Sequence, residues 1–495
     1  MLLHARDLYR NGDYATALAA YNGMMAATGP DTAWAYAGVA RVYLKQNDPK
    51  SALSAAQKAI ALEEHLAAAH SALGDIYFRQ GKFREAEHEY LIPMKERVQD
   101  AQAFFGLSRI YRATSNYKLA KTALDTAHAI DPDDPEIRLD WLETLGLKER
   151  IAALQMHLAE PNNDDKETAE SLQQSLTVMQ DRLEHPARVC RLKTPLKSTQ
   201  TQLTPVAEDP KHILGYALKI KLNSTSATLQ LDTGAGGILV TGAIAKKAGV
   251  QRLVEQSIGG IGDKGAAKGY VGFVESIQIG ELQFENCYVD VVDKKGSLGE
   301  DGLIGADVFA HYLVDINFPD KKFKLSELPK HPDQPAEDAT LDSEAALARE
   351  RVDRYIAPEM ESYSRIFRFA HMLLMPTSVN DQPFKMFLID TGAFDNMITP
   401  DAARESTKIH GNDDLIVEGL SGKVKKVYET GEVTLTFGHL KQKRSIVSFD
   451  LSSVSNSVGT EVSGTLGFGM LFLLDIKIDY RDGLVEFAYD PNRFH

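Results

Sequence analysis

Leu231-Asp232-Thr233-Gly234-Ala235 decides the reading of this chain, because the chain contains it twice. Ile389-Asp390-Thr391-Gly392-Ala393 repeats it 158 residues later. Each copy is an Asp-Thr-Gly-Ala turn behind an apolar run, Thr228 to Leu231 and Met386 to Ile389. Such runs read as short buried strands that deliver an aspartate to a tight turn. One tetrapeptide recurs by chance, whereas two in matching contexts carry weight. Thr241 and Thr399 keep the 158-residue offset, each opening a short Ala-rich helix, and so do Gly280 and Gly438, each closing a strand pair. Gly302-Leu303-Ile304-Gly305 then corresponds to Gly464-Thr465-Leu466-Gly467. Leu313-Val314-Asp315-Ile316 corresponds to Leu474-Asp475-Ile476 with Leu473 ahead of it. The offset has drifted by a few residues there, as loop insertions produce. The pattern is a tandem duplication of a β-rich unit.

Asp-Thr-Gly-Ala, a Gly-containing hairpin, then two apolar residues and Gly resembles one lobe of a retropepsin-like aspartic peptidase. The resemblance covers residues 211–328 and 360–492 and implies the single-chain, two-lobed all-β arrangement also seen in pepsin-like enzymes. It implies that Asp232 and Asp390 face each other as the catalytic pair. Two carboxylates about 3 Å apart cannot both ionise and so share one proton, as in aspartic proteases generally. The ionised partner is then the general base on a water, and the protonated one donates to the peptide carbonyl. The apparent pKa values belong to the pair. Gly234 and Gly392 let the chain approach the dyad closely. Thr233 and Thr391 match positions whose hydroxyls bond across the lobe interface. Ala235 and Ala393 stand where pepsin-like enzymes often carry a hydroxyl donor, so the dyad should titrate less acidically.

The resemblance also implies two flaps. Ile258 to Gly265 and Glu418 to Lys423 are glycine-rich and lie between each aspartate and the later Gly motif, so Gly260, Ile261, Gly262, Gly419 and Leu420 are substrate-facing candidates. Asp395 falls where retroviral enzymes often place an acid beside the substrate backbone; a solvated turn aspartate is the plainer reading. Lys423, Lys425, Lys426, Lys441, Lys443 and Arg444 admit an acidic substrate preference, with a solvated edge that resists strand pairing as the simpler account.

Residues 1–147 carry a second period. Tyr43, Tyr77 and Tyr111 recur every 34 residues, as do Ala52, Ala86 and Ala120, and the turn residues Gly12, Asn47, Gly81 and Ser115 keep the beat. This resembles the tetratricopeptide repeat, an all-α solenoid whose groove takes a protein partner. Four units are expected, with Pro93 interrupting the second helix of the third. Arg41, Lys45, Arg79 and Arg109 lie on or near first helices, either to meet an acidic partner or as a solvated face. His65 and His70 form no metal spacing. Asp134 to Gly146 reads as a capping helix, with Pro135 at its start.

The fold class expected is therefore multidomain. A helical repeat domain covers 1–147, a helix and linker 148–210, a first lobe 211–328, a linker and helix 329–359, and a second lobe 360–495. The helix of 148–210 spans Asp165 to Leu183, and 186–210 reads as linker, with an edge strand as the alternative. The helix of 329–359 spans Ser343 to Ala357, with Ala348, Val352 and Ile356 docking on a lobe. The net charge of −14 offers no basic footprint for nucleic acid. No run reaches the length of a transmembrane helix. Cys190 and Cys287 read as two free thiols, with one bridge as the alternative. The chemistry calls for no cofactor and no metal. Without an export segment in the sequence the protein reads as cytoplasmic, or as periplasmic or secreted if such a segment lies upstream. The expected function is an aspartic endopeptidase acting on a peptide or protein substrate, a monomer by intrachain lobe pairing. The alternative is a peptide-binding scaffold that does not cut.

Overall fold

Small residues and left-handed turns build the N-terminal helices into pairs. The computed structural model describes residues 1–27, 29–159, 166–193, 196–209, 212–292, 301–333, 352–412 and 415–494. It divides into two compact units, Met1–Leu183 and Glu184–His495. In the first, Leu2–Arg10, Thr32–Lys45, Ala67–Arg79 and Ala101–Ala113 each pair with the helix that follows, Tyr14–Ala26, Pro49–Leu62, Phe83–Lys95 and Tyr117–Ile130. The turn inside each pair holds one residue at positive φ, namely Gly12, Asn47, Gly81 and Ser115. Tyr90 is fully buried between neighbouring first helices, where a Cβ on Gly74 or Gly106 would come within 2.5 or 2.2 Å of its ring.

Pro93 does not interrupt its helix. It sits in the last turn of Phe83–Lys95, so only one backbone bond is lost. Asp134 caps Pro135–Leu142 through the Glu136 and Ile137 amides, and Trp141 stacks on His128 at 3.9 Å. Two more helices follow, Leu147–Ala159 and Lys166–Glu184; Leu172, Leu176 and Met179 of the second pack on Ile151 and Leu154 of the first. Leu147–Ala159 lies across the expected boundary at 147/148.

The expected groove cations are engaged within the repeats. Arg109 pairs with Asp75 at 2.6 Å and stacks over Phe78 and Phe105, Arg41 faces Asp75 at 3.8 Å, and Lys45 pairs with Glu136. Arg79 reaches Asn47. Arg10 pairs with Asp131 and Asp134, tying the first helix to the last turns of the array. A burial that desolvates a guanidinium requires such a partner.

The second unit is built from two lobes joined by one sheet. The first lobe's sheet contains Thr225–Asp232, Ile238–Thr241, Gln251–Ile258, Ala267–Ile279, Leu282–Val292 and Gly302–Gly305, and the second lobe's contains their counterparts from Met372–Val379 to Gly464–Gly467. A six-stranded sheet links them, in the order Ser364–Arg365, Leu484–Tyr489, Leu474–Asp479, Tyr312–Asn317, Lys322–Glu327, Ser198–Gln202. Its centre pairs the two copies of one duplicated strand, Tyr312–Asn317 against Leu474–Asp479, with Ile316 opposite Ile476. The core is shared across this seam, where the rings of Tyr216, Phe318 and Phe468 lie within 5.8 Å of one another.

Two expectations fail here, and a third falls mostly outside the described residues. Residues 186–210 are not linker: Arg191–Leu192, Ser198–Gln202 and Thr204–Asp209 are strands paired to Leu282–Val292, Lys322–Glu327 and His212–Leu222. The Thr- and Gln-rich composition suits edge strands that face water. Cys190 and Cys287 form a disulfide, tying this N-terminal edge to the first lobe, so the thiols are not free. The helix expected over Ser343–Ala357 lies mostly outside the described residues. Its described end, 352–357, is not helical but does dock, with Ile356, Ala357 and Met360 packed on Leu484 and Leu313.

Candidate active site

Each Asp-Thr-Gly-Ala turn emerges where a strand ends beside a glycine. Asp232 closes Thr225–Asp232 opposite Gly305, and Asp390 closes Lys385–Asp390 opposite Gly467, both in parallel register. Only glycine fits there, since a Cβ on Gly305 would lie 2.5 Å from the Ala235 carbonyl and one on Gly467 2.1 Å from that of Asp395. Oδ1 of Asp232 accepts the Gly234 and Ala235 N–H groups at 2.8 and 3.1 Å. Oδ1 of Asp390 accepts those of Gly392 and Ala393 at 3.0 and 2.8 Å. The turns stand back to back: a Cβ on Gly234 would be 2.8 Å from the Asp390 carboxyl carbon, and one on Gly392 2.3 Å from that of Asp232. The two carboxyls thus lie against each other across the lobe interface. Burial pushes both above the usual carboxylate range, and for Asp232 the charge of Asp390 adds to it.

The threonines cross over. The Thr233 N–H donates to Thr391 Oγ1 and the Thr391 N–H to Thr233 Oγ1, at 3.1 and 3.0 Å. Each hydroxyl donates in turn to a carbonyl of the opposite strand, Ile389 at 2.7 Å and Leu231 at 2.9 Å.

The flap segments differ in build but meet at their tips. The first joins the long strands Gln251–Ile258 and Ala267–Ile279; the second is a small hairpin, Glu418–Gly419 with Gly422–Lys423. The Ser421 N–H donates to the Ile261 carbonyl at 3.0 Å, and the Lys264 N–H to that of Ser421 at 2.8 Å. The Lys425 N–H donates to the Asp263 carboxylate at 2.8 Å. Ile261 packs with Ala393, Met397, Phe449 and Leu451 of the second lobe. Leu420 packs with Leu239, Val292 and Leu303 of the first. Gly260 and Gly419 serve close approach, their Cβ positions falling 2.7 Å from Leu420 and 2.5 Å from the Ile261 carbonyl, while Gly262 has a φ of +131°.

Residues 218–311 match the family model described as "gag-polyprotein putative aspartyl protease". Residues 2–69, 40–92 and 71–135 match the tetratricopeptide-repeat model. The chain carries a retropepsin-like aspartyl-protease domain behind tetratricopeptide repeats. DNA damage-inducible protein 1 of Eremothecium gossypii is 28% identical over 156 residues, which is 29% of this chain and 31% of that protein. The match therefore spans under a third of that relative's length. The crystal structure of an aspartic proteinase from Irpex lacteus aligns over 60% of this chain and 98% of its own at 12% identity, with a TM-score of 0.37.

Around the retropepsin-like turns, several expected site residues prove to be engaged elsewhere. Asp395 pairs with Arg444 at 3.1 Å and accepts the Asn396 N–H. Arg444, Lys443 and Lys441 are paired with Asp395, Glu432 and Asp381, and the two lysine pairs are exposed, as on a solvated edge. Four residues had no role assigned from sequence. Asn396, fully buried, accepts the Gly467 N–H at 2.8 Å. Asp307 accepts the Gly237 N–H at 3.1 Å and lies two residues past Gly305, a place the motif could have flagged. Gln230 donates to the Gly392 carbonyl at 3.4 Å. His371 lies against Gly236, 135 residues away in sequence, which no local pattern signals.

Proposed function

We propose that the second unit is an aspartic endopeptidase in which Asp232 and Asp390 activate water between them. The observation that carries this is the placing of the two carboxyls against each other across back-to-back turns, each held at Oδ1 by two backbone N–H groups. That arrangement leaves one proton for two acids, one partner to take a proton from water and the other to give one to the carbonyl oxygen. Thr233, Gly234, Thr391 and Gly392 hold the pair in register. The flaps, through Gly260, Ile261, Gly262, Gly419 and Leu420, close over a bound peptide and exclude water. Both aspartates come from one chain and the linking sheet uses both lobes, which supports a monomer as the active unit. The repeats bring a protein partner or the substrate itself. The disulfide suits an oxidising compartment and favours export over the cytoplasm.

A peptide library incubated with the wild type, Asp232→Asn and Asp390→Asn, with cuts read by mass spectrometry, tests this. Cutting by the wild type and by neither variant is expected. One observation favours the alternative of a binding module that does not cut: the flap tips are already bonded to each other. A wild-type library left intact at every pH, with peptides still retained, would establish that alternative.

A further inference from the structure

The two aspartate turns are braced by unlike side chains, each reaching over from the other lobe. Gln230 of the first lobe donates to the Gly392 carbonyl at 3.4 Å. His371 sits in the turn between Phe367–Phe369 and Met372–Val379 of the second lobe, within hydrogen-bonding reach of the Gly234 carbonyl. Its ring lies on Gly236, where a Cβ would meet Nδ1 at 2.7 Å. The Gly234 carbonyl and the Ala235 N–H belong to one peptide group, and that N–H donates to Asp232 Oδ1. A carbonyl that accepts a hydrogen bond makes the N–H of its own peptide a stronger donor. The same relay runs from Gln230 through the Gly392–Ala393 peptide to Asp390 Oδ1.

We propose that His371 is a positioning residue of the dyad, bracing the Asp232 turn and strengthening, through the Gly234–Ala235 peptide, the N–H that holds the Asp232 carboxylate. This rests on the aspartic-peptidase reading of the cleft. The brace fits only one turn. Counted from the aspartates, Gly236 corresponds to Phe394, whose side chain would fill the space the imidazole takes; counted from Gly305 and Gly467, Asp307 corresponds to Gly469. Asp307, from the turn Ala306–Phe309, faces the ring and fixes the far side of the same loop through the Gly237 N–H. Arg368, from the ring's own hairpin, faces both, and Tyr480, after strand Leu474–Asp479, faces Asp307, Arg368 and Asp232. Burial lowers the imidazole and raises Asp307, so near neutral pH the ring is an uncharged donor beside a carboxyl group.

The test compares His371→Ala, His371→Asn and Gly236→Ala with the wild type and Asp390→Asn. Two readouts run in parallel: kcat and KM from pH 4 to 8, and titration of the dyad carboxyls by carbon-13 NMR. The ionised dyad loses support in His371→Ala, so both limbs of the profile move to higher pH by about half a unit, with kcat down about tenfold and KM within about twofold. His371→Asn keeps a donor and recovers most of the loss. Gly236→Ala displaces the ring without removing it and reproduces the shift, which covers a His371→Ala chain that fails to fold. Limbs and carboxyl titration unmoved in every variant overturn the proposal. If the wild type does not cut, the peptidase reading fails, and the carboxyl titration alone still decides whether His371 acts on the dyad.

Discussion

Thr233 and Thr391 exchange hydrogen bonds across the lobe interface, each N–H donating to the other's hydroxyl and each hydroxyl to the opposite strand. Both are about 1% exposed, so no water replaces a lost partner. Thr233→Ala leaves the Thr391 N–H and the Ile389 carbonyl buried without it. The expected cost is about 1–3 kcal/mol in denaturant unfolding, with peptide cutting lost, while Thr233→Ser stays near wild type. Equal stability for the Ala and Ser variants would show that the crossover holds nothing together.

The flap clasp makes a local prediction. Asp263 is its only side-chain acceptor among the described residues, taking the Lys425 N–H. Asp263→Ala should speed amide exchange at Lys425, Ser421 and Lys264 by about tenfold, and Asp263→Asn by much less. Exchange that rises at Lys425 alone would mean the tips are held by their backbone bonds without the carboxylate.

Asp315 lies on the sheet that joins the lobes and is raised to about 7, first by burial and then by Asp475, with which it shares a hydrogen bond. Its folded value exceeds the unfolded one of about 3.9, so the folded protein binds the extra proton. The stabilisation is full below about pH 4 and is lost as pH rises through 7. Asp315→Asn should flatten the fall in stability across that window. A wild-type stability that climbs from pH 4 to 7, with the slope unchanged in the variant, contradicts this.

The duplication was legible because both motif turns need the same residues: glycine behind each aspartate and glycine again where a parallel strand passes. The repeat turns were legible at Gly12, Asn47 and Gly81 for a related reason, since each adopts positive φ. What escaped the sequence depends on partners distant in the chain. Cys190 meets Cys287 only because Arg191 pairs with Glu285. Ser198–Gln202 is a strand only because Lys322–Glu327 offers it an edge. The groove cations looked like a solvated or docking face because Asp75 reaches Arg41 and Arg109 from another repeat and Glu136 reaches Lys45 from the capping helix.

That disulfide closes a loop with a sequence separation of 97. Cys190→Ser should therefore lower stability by about 2–4 kcal/mol, with the reduced wild type matching it. A difference between those two under reducing conditions would place the effect outside the bond.

The most direct measurement is kcat/KM against pH, from about 1.5 to 8, on one cleaved peptide for the wild type, Asp232→Asn and Asp390→Asn. Burial raises both carboxyls, and Ala235 and Ala393 bring no hydroxyl to oppose it, so the bell should peak at mildly acidic to near-neutral pH. Either substitution should abolish it. A maximum near pH 2, or full activity in one of the Asn variants, would contradict a proton shared between Asp232 and Asp390.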